Sequence, residues 1–210
     1  MARTTGTGDR RSALSRAAAE VVTRELDALT RLEERLDDGF LDACELILDC
    51  PGRVVCIGVG KSGIIARKLA ASLASLGTPA HFVHAAEAVH GDLGMIVPGD
   101  VCVLFSHSGT TAETVALLPA LERGGVRVIA ITDGRDSVLA QRADATVCPG
   151  VEEEADHLGL APTASTTAAL VLADAIAVAV ARVRGFARED FAARHPGGAL
   201  GAALASDPPD

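Results

Sequence analysis

The chain has 210 residues, a mass of 21.4 kDa and a mean hydropathy of +0.30, and 49% of its residues are hydrophobic. These values predict one globular domain and exclude disordered, collagen-like and low-complexity chains. The formal charge is -9 and the chain has no cluster of lysine and arginine, so we expect no nucleic-acid partner. An anionic ligand would need local groups to hold it, because the net charge repels it.

The cysteines and the apolar segments predict a cytoplasmic protein. The 5 cysteines are odd in number and form no CxxC pair, so we expect free thiols in a reducing compartment. The first residues lack the apolar segment of a signal peptide, and the most apolar run, 168–181, is too short to cross a bilayer. We expect no membrane contact, a disordered tail at 1–11, a globular domain at 12–204 and a flexible tail at 205–210.

The N-terminal third predicts two helices. Apolar residues at intervals of three and four predict an amphipathic helix from Ser12 to about Asp37, and a shorter helix spans 40–48. The apolar stripe of the first helix either packs on the core or contacts a second subunit, and its length favours the second subunit.

Further along, short β-branched runs alternate with helical stretches. The runs predict five strands, at 54–57, 80–83, 101–105, 126–131 and 145–148. This alternation is typical of an α/β fold with three layers, a doubly wound, flavodoxin-like five-stranded parallel sheet with helices on both faces. Ligands of such sheets bind where the strands end, at their carboxyl edge.

The loop after the first strand contains a glycine-rich turn. Residues 58–63, GVGKSG, satisfy the pattern GxGxxG, but no acidic residue follows at the end of the second strand, which argues against NAD. Val55 stands where a P-loop needs glycine, which excludes that motif as well. The loop then predicts a phosphate or oxyanion site made by helix N–H groups and Lys61. The alternative is a packing turn beside an exposed lysine.

Two other segments combine polar groups at predicted helix starts. Residues 106–114 carry five hydroxyl side chains, more than helix capping requires, and suit a phosphate dianion. Glu113 in this segment is either a base or a simple capping carboxylate. Residues 163–167 open an alanine-rich helix to Val183, in which we expect Asp174 to be buried and paired at a helix or subunit contact.

His90 lies in a segment rich in histidine and acidic residues, at 84–95, and is an acid or base candidate. The alternative is an ordinary surface histidine. No pair in this segment has the spacing of a zinc motif, so we expect no metal.

Five segments together carry a family resemblance. GVGKSG, AVHGDLGM, SHSGTTAE, LGLAPTAST and RHPGGALG, in this order, closely resemble the sugar-isomerase (SIS) domain of arabinose-5-phosphate isomerases over residues 15–204. The resemblance implies interconversion of D-ribulose 5-phosphate and D-arabinose 5-phosphate through an enediolate, without metal or organic cofactor, in a homo-oligomer that is usually a tetramer. Many members continue into two CBS domains, whereas this chain stops at Asp210, so we expect no regulation by them.

The resemblance also implies the site. It places the catalytic set on Lys61, His90, Glu113 and His195, and the phosphate on Gly60, Ser62, Ser106, Ser108, Gly109 and Thr111. By this interpretation Glu113 moves the carbon-bound proton, and His195, from a neighbouring subunit, is its acid or base counterpart. Lys61 and His90 contact substrate oxygens and assist ring opening.

Two positions depart from the family, in which Asn and Glu are more frequent than His107 and Thr110. An isomerase of another phosphosugar and a non-catalytic phosphosugar sensor are therefore the alternative functions.

Overall fold

A computed structural model of the chain describes residues 7–197. Its strands are β1 (Val54–Gly58), β2 (Ala80–His84), β3 (Val101–Phe105), β4 (Arg127–Ile131) and β5 (Ala145–Val147). They form one parallel sheet in the order β2–β1–β3–β4–β5. Each predicted strand is present, and only the ends differ. The predicted doubly wound, flavodoxin-like sheet is confirmed.

Helices cover both faces of the sheet. They are α1 (Thr7–Glu33), α2 (Asp38–Leu48), α3 (Gly60–Ser75), α4 (Ala85–Ala88), α5 (Ala112–Val115), α6 (Leu118–Arg123), α7 (Val138–Arg142), α8 (Ala164–Val183) and α9 (Arg188–Arg194). A short 3-10 helix spans Asp92–Met95.

Successive residues of a strand point to opposite faces, and this alternation divides the core in two. Val54 and Cys56 of β1 pack with α1, α2, α3 and α8, whereas Val55 and Ile57 pack with α4, α6 and α7. Every residue of β1 and β3 is buried, so these central strands are covered on both sides, as their apolar sequence predicts.

Helix α8 is the one helix in the described range that is long and apolar enough to cross a membrane by length and composition. It packs on α1, α2 and α3, and half of it is buried inside the molecule. Asp174, in its middle, forms an ion pair with Lys68 of α3. The expected partner at a helix contact is confirmed, but the expected burial is not, because the Asp174 side chain is 46% exposed.

Helix α1 differs from its prediction at both ends. It begins at Thr7 rather than Ser12 and ends at Glu33, so the expected disordered tail was wrong for residues 7–11. Residues 1–6 and 198–210 lie outside the described residues. Ala28 and Leu32 pack in the core, whereas Val22 and Leu26 are exposed, because no other part of the described chain covers the first half of α1.

Candidate functional site

A cavity of about 490 Å³ lies at the carboxyl edge of the sheet. Its walls come from the start of α3, the loops after β3, β4 and β5, and the start of α8. The polar residues among its lining are Lys61, Ser62, Ser106, His107, Thr132, Asp133, Glu154, Ser165 and Thr166. The position agrees with the general rule for doubly wound sheets, in which the strand ends and helix starts meet at this edge.

The glycine-rich loop brings the start of α3 beside this cavity. Gly58 and Gly63 pack so closely that a Cβ on Gly58 would lie 2.9 Å from the Gly63 nitrogen, which supports the packing interpretation of the turn. Lys61 and Ser62 nevertheless line the cavity. The first N–H groups of α3 have no side-chain cap, so they provide an electropositive helix terminus there.

The hydroxyl-rich loop after β3 is held by its own side chains. The buried Ser106 accepts a hydrogen bond from the Gly109 N–H at 3.1 Å, and its Oγ lies 2.8 Å from the Thr111 hydroxyl. Ser108 Oγ accepts a bond from the Thr110 hydroxyl at 3.0 Å. Of the residues predicted here for the phosphate, Ser106 lines the cavity, while Ser108, Gly109 and Thr111 build the loop around it.

The cavity wall also carries an aspartate–histidine pair that the sequence did not predict. His107 Nδ1 lies 2.9 Å from Asp133 Oδ2, and the Asp133 side chain is only 14% exposed. Burial acts to raise the pKa of Asp133, but hydrogen bonds from His107 and the Gly150 N–H outweigh it and lower that pKa. The bond to Asp133 in turn raises the pKa of His107 against the effect of burial. Asp133 lies two residues after the end of β4 at Ile131, which was the available sequence signal.

Glu154 gives the acidic run 152–154 its structural role. Its carboxylate accepts bonds from the Thr163 N–H at 2.8 Å, the Ser165 N–H at 3.2 Å and the Ser165 hydroxyl. Burial acts to raise the pKa of Glu154, and these bonds outweigh it and lower the pKa. Glu154 therefore caps α8, and the hydroxyls of Thr163 and Ser165 are occupied by this carboxylate.

His90 and Glu113 lie at the same edge of the sheet but outside the cavity lining. His90 lies two residues after the end of α4, and Glu113 is in the first turn of α5. Both side chains are exposed, and α4 contacts α5. The two candidates therefore share one side of the edge, next to the cavity.

His195 lies at the opposite end of α3. Its Nε2 is 3.0 Å from the Ser75 hydroxyl, its Nδ1 is 2.8 Å from the Phe191 carbonyl oxygen, and its ring stacks on Phe191. Helix α3 has 16 residues, a length of roughly 24 Å. A single chain therefore does not bring His195 to the cavity, and its supply by a neighbouring subunit stays a prediction.

Residues 7–197 contain no group of three or more His, Cys, Asp or Glu side chains placed to hold a metal ion. All 5 cysteines are free.

A family model for the SIS domain matches residues 47–179. The chain belongs to the SIS domain family. This match contains β1 to β5 and most of α8, the elements that build the cavity of the SIS domain.

Individual relatives agree with this assignment. The chain is 51% identical to the arabinose 5-phosphate isomerase KdsD of Escherichia coli K12 over 188 residues, which is 90% of this chain and 57% of the relative. The corresponding protein of Pseudomonas aeruginosa is 51% identical, with 90% and 58% covered. This SIS domain thus spans somewhat more than half the length of the curated relatives it matches.

A solved structure extends the similarity to the fold. A protein of Escherichia coli CFT073, in complex with arabinose 5-phosphate, superposes with a TM-score of 0.85 and 46% identity, covering 88% of this chain and 98% of the other.

Proposed function

We propose that this SIS domain is an aldose–ketose isomerase that interconverts D-ribulose 5-phosphate and D-arabinose 5-phosphate. The observation that carries the proposal is the 51% identity to arabinose 5-phosphate isomerase over 90% of the chain. The cavity at the carboxyl edge supports it, since it combines cationic and hydroxyl groups with a helix start. The resemblance to enzymes favours catalysis over a purely ligand-binding role.

The phosphate of the substrate fits the junction of α3 and the loop after β3. Uncapped N–H groups at the start of α3 and the hydroxyls of Ser62 and Ser106 can donate hydrogen bonds to phosphate oxygens. Gly60, Ser108, Gly109 and Thr111 complete this junction by shaping its backbone. Local donors are needed, because the chain carries a net charge of -9.

The reaction itself is a proton transfer between two carbons. A base removes the proton from C1 of the ketose, the enediolate forms, and the same proton or one from solvent is delivered to C2, while the hydroxyl proton moves between the oxygens. We assign Glu113 as the base that moves the carbon-bound proton. Lys61 and His90 stabilise the negative charge that develops on the substrate oxygens. His195 is the acid or base counterpart. These steps need neither a metal nor an organic cofactor.

The position of His195 supports an oligomer as the functional unit. The imidazole lies at the far end of α3 from the cavity of its own chain, which is consistent with its supply by a second copy. The first half of α1 presents Leu14, Val22 and Leu26 to solvent, and this stripe gives a second copy an apolar surface. We propose a homotetramer that works in the cytoplasm.

The test follows isomerisation in deuterated water. Purified protein is incubated with ribulose 5-phosphate and the products are followed by NMR; we expect arabinose 5-phosphate, with deuterium at C2 in the fraction of turnovers in which the proton held by the base exchanges with solvent. Glu113→Gln should abolish turnover, whereas Glu122→Gln, which changes an exposed carboxylate paired with Arg142, should retain it. Saturable binding of ribulose 5-phosphate without turnover would overturn the proposal in favour of a sensor.

A further inference from the structure

The pair of His107 and Asp133 lies on the wall of the cavity, and the proposed reaction gives neither residue a role. The two side chains differ in exposure: that of Asp133 is 14% exposed and that of His107 is 51% exposed. The buried partner orients the exposed one, and the exposed one can reach a ligand.

Asp133 is firmly anchored on its other side. Its Oδ1 accepts bonds from the Gly150 N–H and, at 3.2 Å, from the Val151 N–H, which leaves Oδ2 for the imidazole. The backbone of His107 is held as well, because its carbonyl accepts bonds from the Asp133 N–H at 3.0 Å and the Thr132 hydroxyl at 3.1 Å. Ring and backbone are therefore both positioned before any ligand arrives.

This arrangement determines which ring nitrogen is available. Nδ1 of His107 donates to Asp133, so the remaining donor or acceptor of the ring is Nε2. In the charged ring both nitrogens donate, whereas in the neutral ring the Asp133 bond keeps the proton on Nδ1 and Nε2 only accepts. The protonation state therefore decides whether Nε2 attracts or repels an anion.

We propose that His107 binds the phosphate group of the substrate through Nε2–H, with Asp133 as the positioning residue behind it. Binding of a phosphosugar is taken from the proposed function; the role of the pair is additional to it. Ser106, the neighbour of His107 in the loop, lines the same cavity as Lys61 and Ser62 at the start of α3. The imidazole thus adds a titratable cation to a phosphate site that otherwise has Lys61.

The charges around the imidazole set the sign of the pH dependence. Asp133 and Glu154 both raise the pKa of His107, while burial lowers it, and the net shift is upward. Lys61 lines the same cavity as a cation. His107 is charged below its raised pKa, so its contribution to anion binding is complete at low pH and is lost as pH rises through that value.

The test measures binding separately from catalysis. The dissociation constant of D-arabinitol 5-phosphate, a polyol that cannot isomerise, is measured by calorimetry from about pH 6 to about pH 9 for the wild type and for His107→Asn. The phosphate of the ligand titrates in the same way in both experiments, so its effect on affinity cancels in the ratio of the two dissociation constants. We expect the variant to bind about tenfold more weakly at the low end, as for loss of one charge-assisted hydrogen bond. This ratio should approach one at the high end.

Two further variants separate binding from folding. His157→Asn changes an exposed histidine outside the cavity lining and should leave the ratio at one throughout. Asp133→Asn keeps an oxygen for Gly150 and Val151 but removes the charge that holds the His107 proton. We expect the pH at which affinity falls to be lower in this variant, with melting temperature measured alongside.

The outcomes are distinct. Equal binding by wild type and His107→Asn at every pH, or a ratio that does not change with pH, would show that the pair only stabilises the loop and would overturn this proposal. A pH-dependent ratio without turnover of ribulose 5-phosphate would support the role of His107 and refute the proposed isomerase. With an active enzyme, His107→Asn should raise KM more than it lowers kcat.

Discussion

At the start of α3, Lys61 and Ser62 lie in the wall of a cavity that this chain builds by itself, beside N–H groups without a side-chain cap. At the end of the same helix, Ser75 bonds His195, which no cavity residue of its own chain can meet. The first end carries the proposed phosphate site, and the second carries the proposed acid or base. In the proposed oligomer, the 16 residues of α3 therefore separate the part of the site that one subunit builds alone from the part that it supplies to a neighbour.

The largest effect is expected when the two ends of α3 are inactivated in different chains. Alone, His195→Ala should lower kcat by about 10²- to 10⁴-fold, as expected for loss of an acid or base. The His195→Ala protein is then mixed with the Glu113→Gln protein, dissociated and reassembled. Activity should return, because some sites of the hybrid oligomers combine a native Glu113 from one chain with a native His195 from the other. Random mixing gives about one such site in four.

The measurement is the rate of ribulose 5-phosphate isomerisation before and after subunit exchange. Mixing two samples of His195→Ala prepared separately is the control and should recover nothing. If the heterologous mixture also stays inactive although exchange is demonstrated by mass spectrometry, His195 acts within its own chain or not at all.

A second variant tests how tightly the far end of α3 is packed. Gly77, just past the helix, has φ +92, and a Cβ there would lie 2.6 Å from the Phe186 ring, so Gly77→Ala combines backbone strain with a clash. We expect a loss of about 2 to 4 kcal/mol in the free energy of unfolding. The measurement is equilibrium unfolding in urea.

Gly125→Ala is the matched control for this clash. Gly125 also has a positive φ, of +64, but a methyl group at this position would have no other atom within 4 Å, so only strain remains. It should cost about 1 kcal/mol. An equal loss of unfolding free energy in the two variants would mean that Phe186 moves aside to admit the new methyl group. The end of α3 would then be less firmly packed than its start.

The smallest expected effect lies between the two ends. Lys68 pairs with Asp174 of α8, but the side chains are 41% and 46% exposed, so water weakens the attraction. A double-mutant cycle with Lys68→Gln and Asp174→Asn should give a coupling of about 0.5 kcal/mol, typical of exposed pairs. A coupling several times larger would show that the pair is buried between subunits. The subunit interface would then include the middle of α3.

Much of this fold was accessible from local pattern. The runs around Val103 and Ile129 are apolar and β-branched, so they predict strands buried on both faces wherever they are placed in a sheet. The glycine loop at 58–63 was likewise predicted as a helix start, because its backbone requirements are local.

The site residues were harder because their partners are remote in sequence. Asp133 lies 26 positions after His107, and only the parallel pairing of β3 with β4 brings the two loops together. Glu154 was an unexplained part of an acidic run until the start of α8 supplied the donors that it caps.

Residue type and spacing were enough to predict the helices and strands of this protein, their alternation along the chain and the edge of the sheet at which the cavity lies. The packing of the folded chain was needed to show that Asp133 orients His107, that Glu154 bonds the hydroxyl of Ser165 at the start of α8, and that His195 lies away from the cavity. These outcomes depend on side chains that meet only when parallel strands align and helices pack, and no local pattern records such distances.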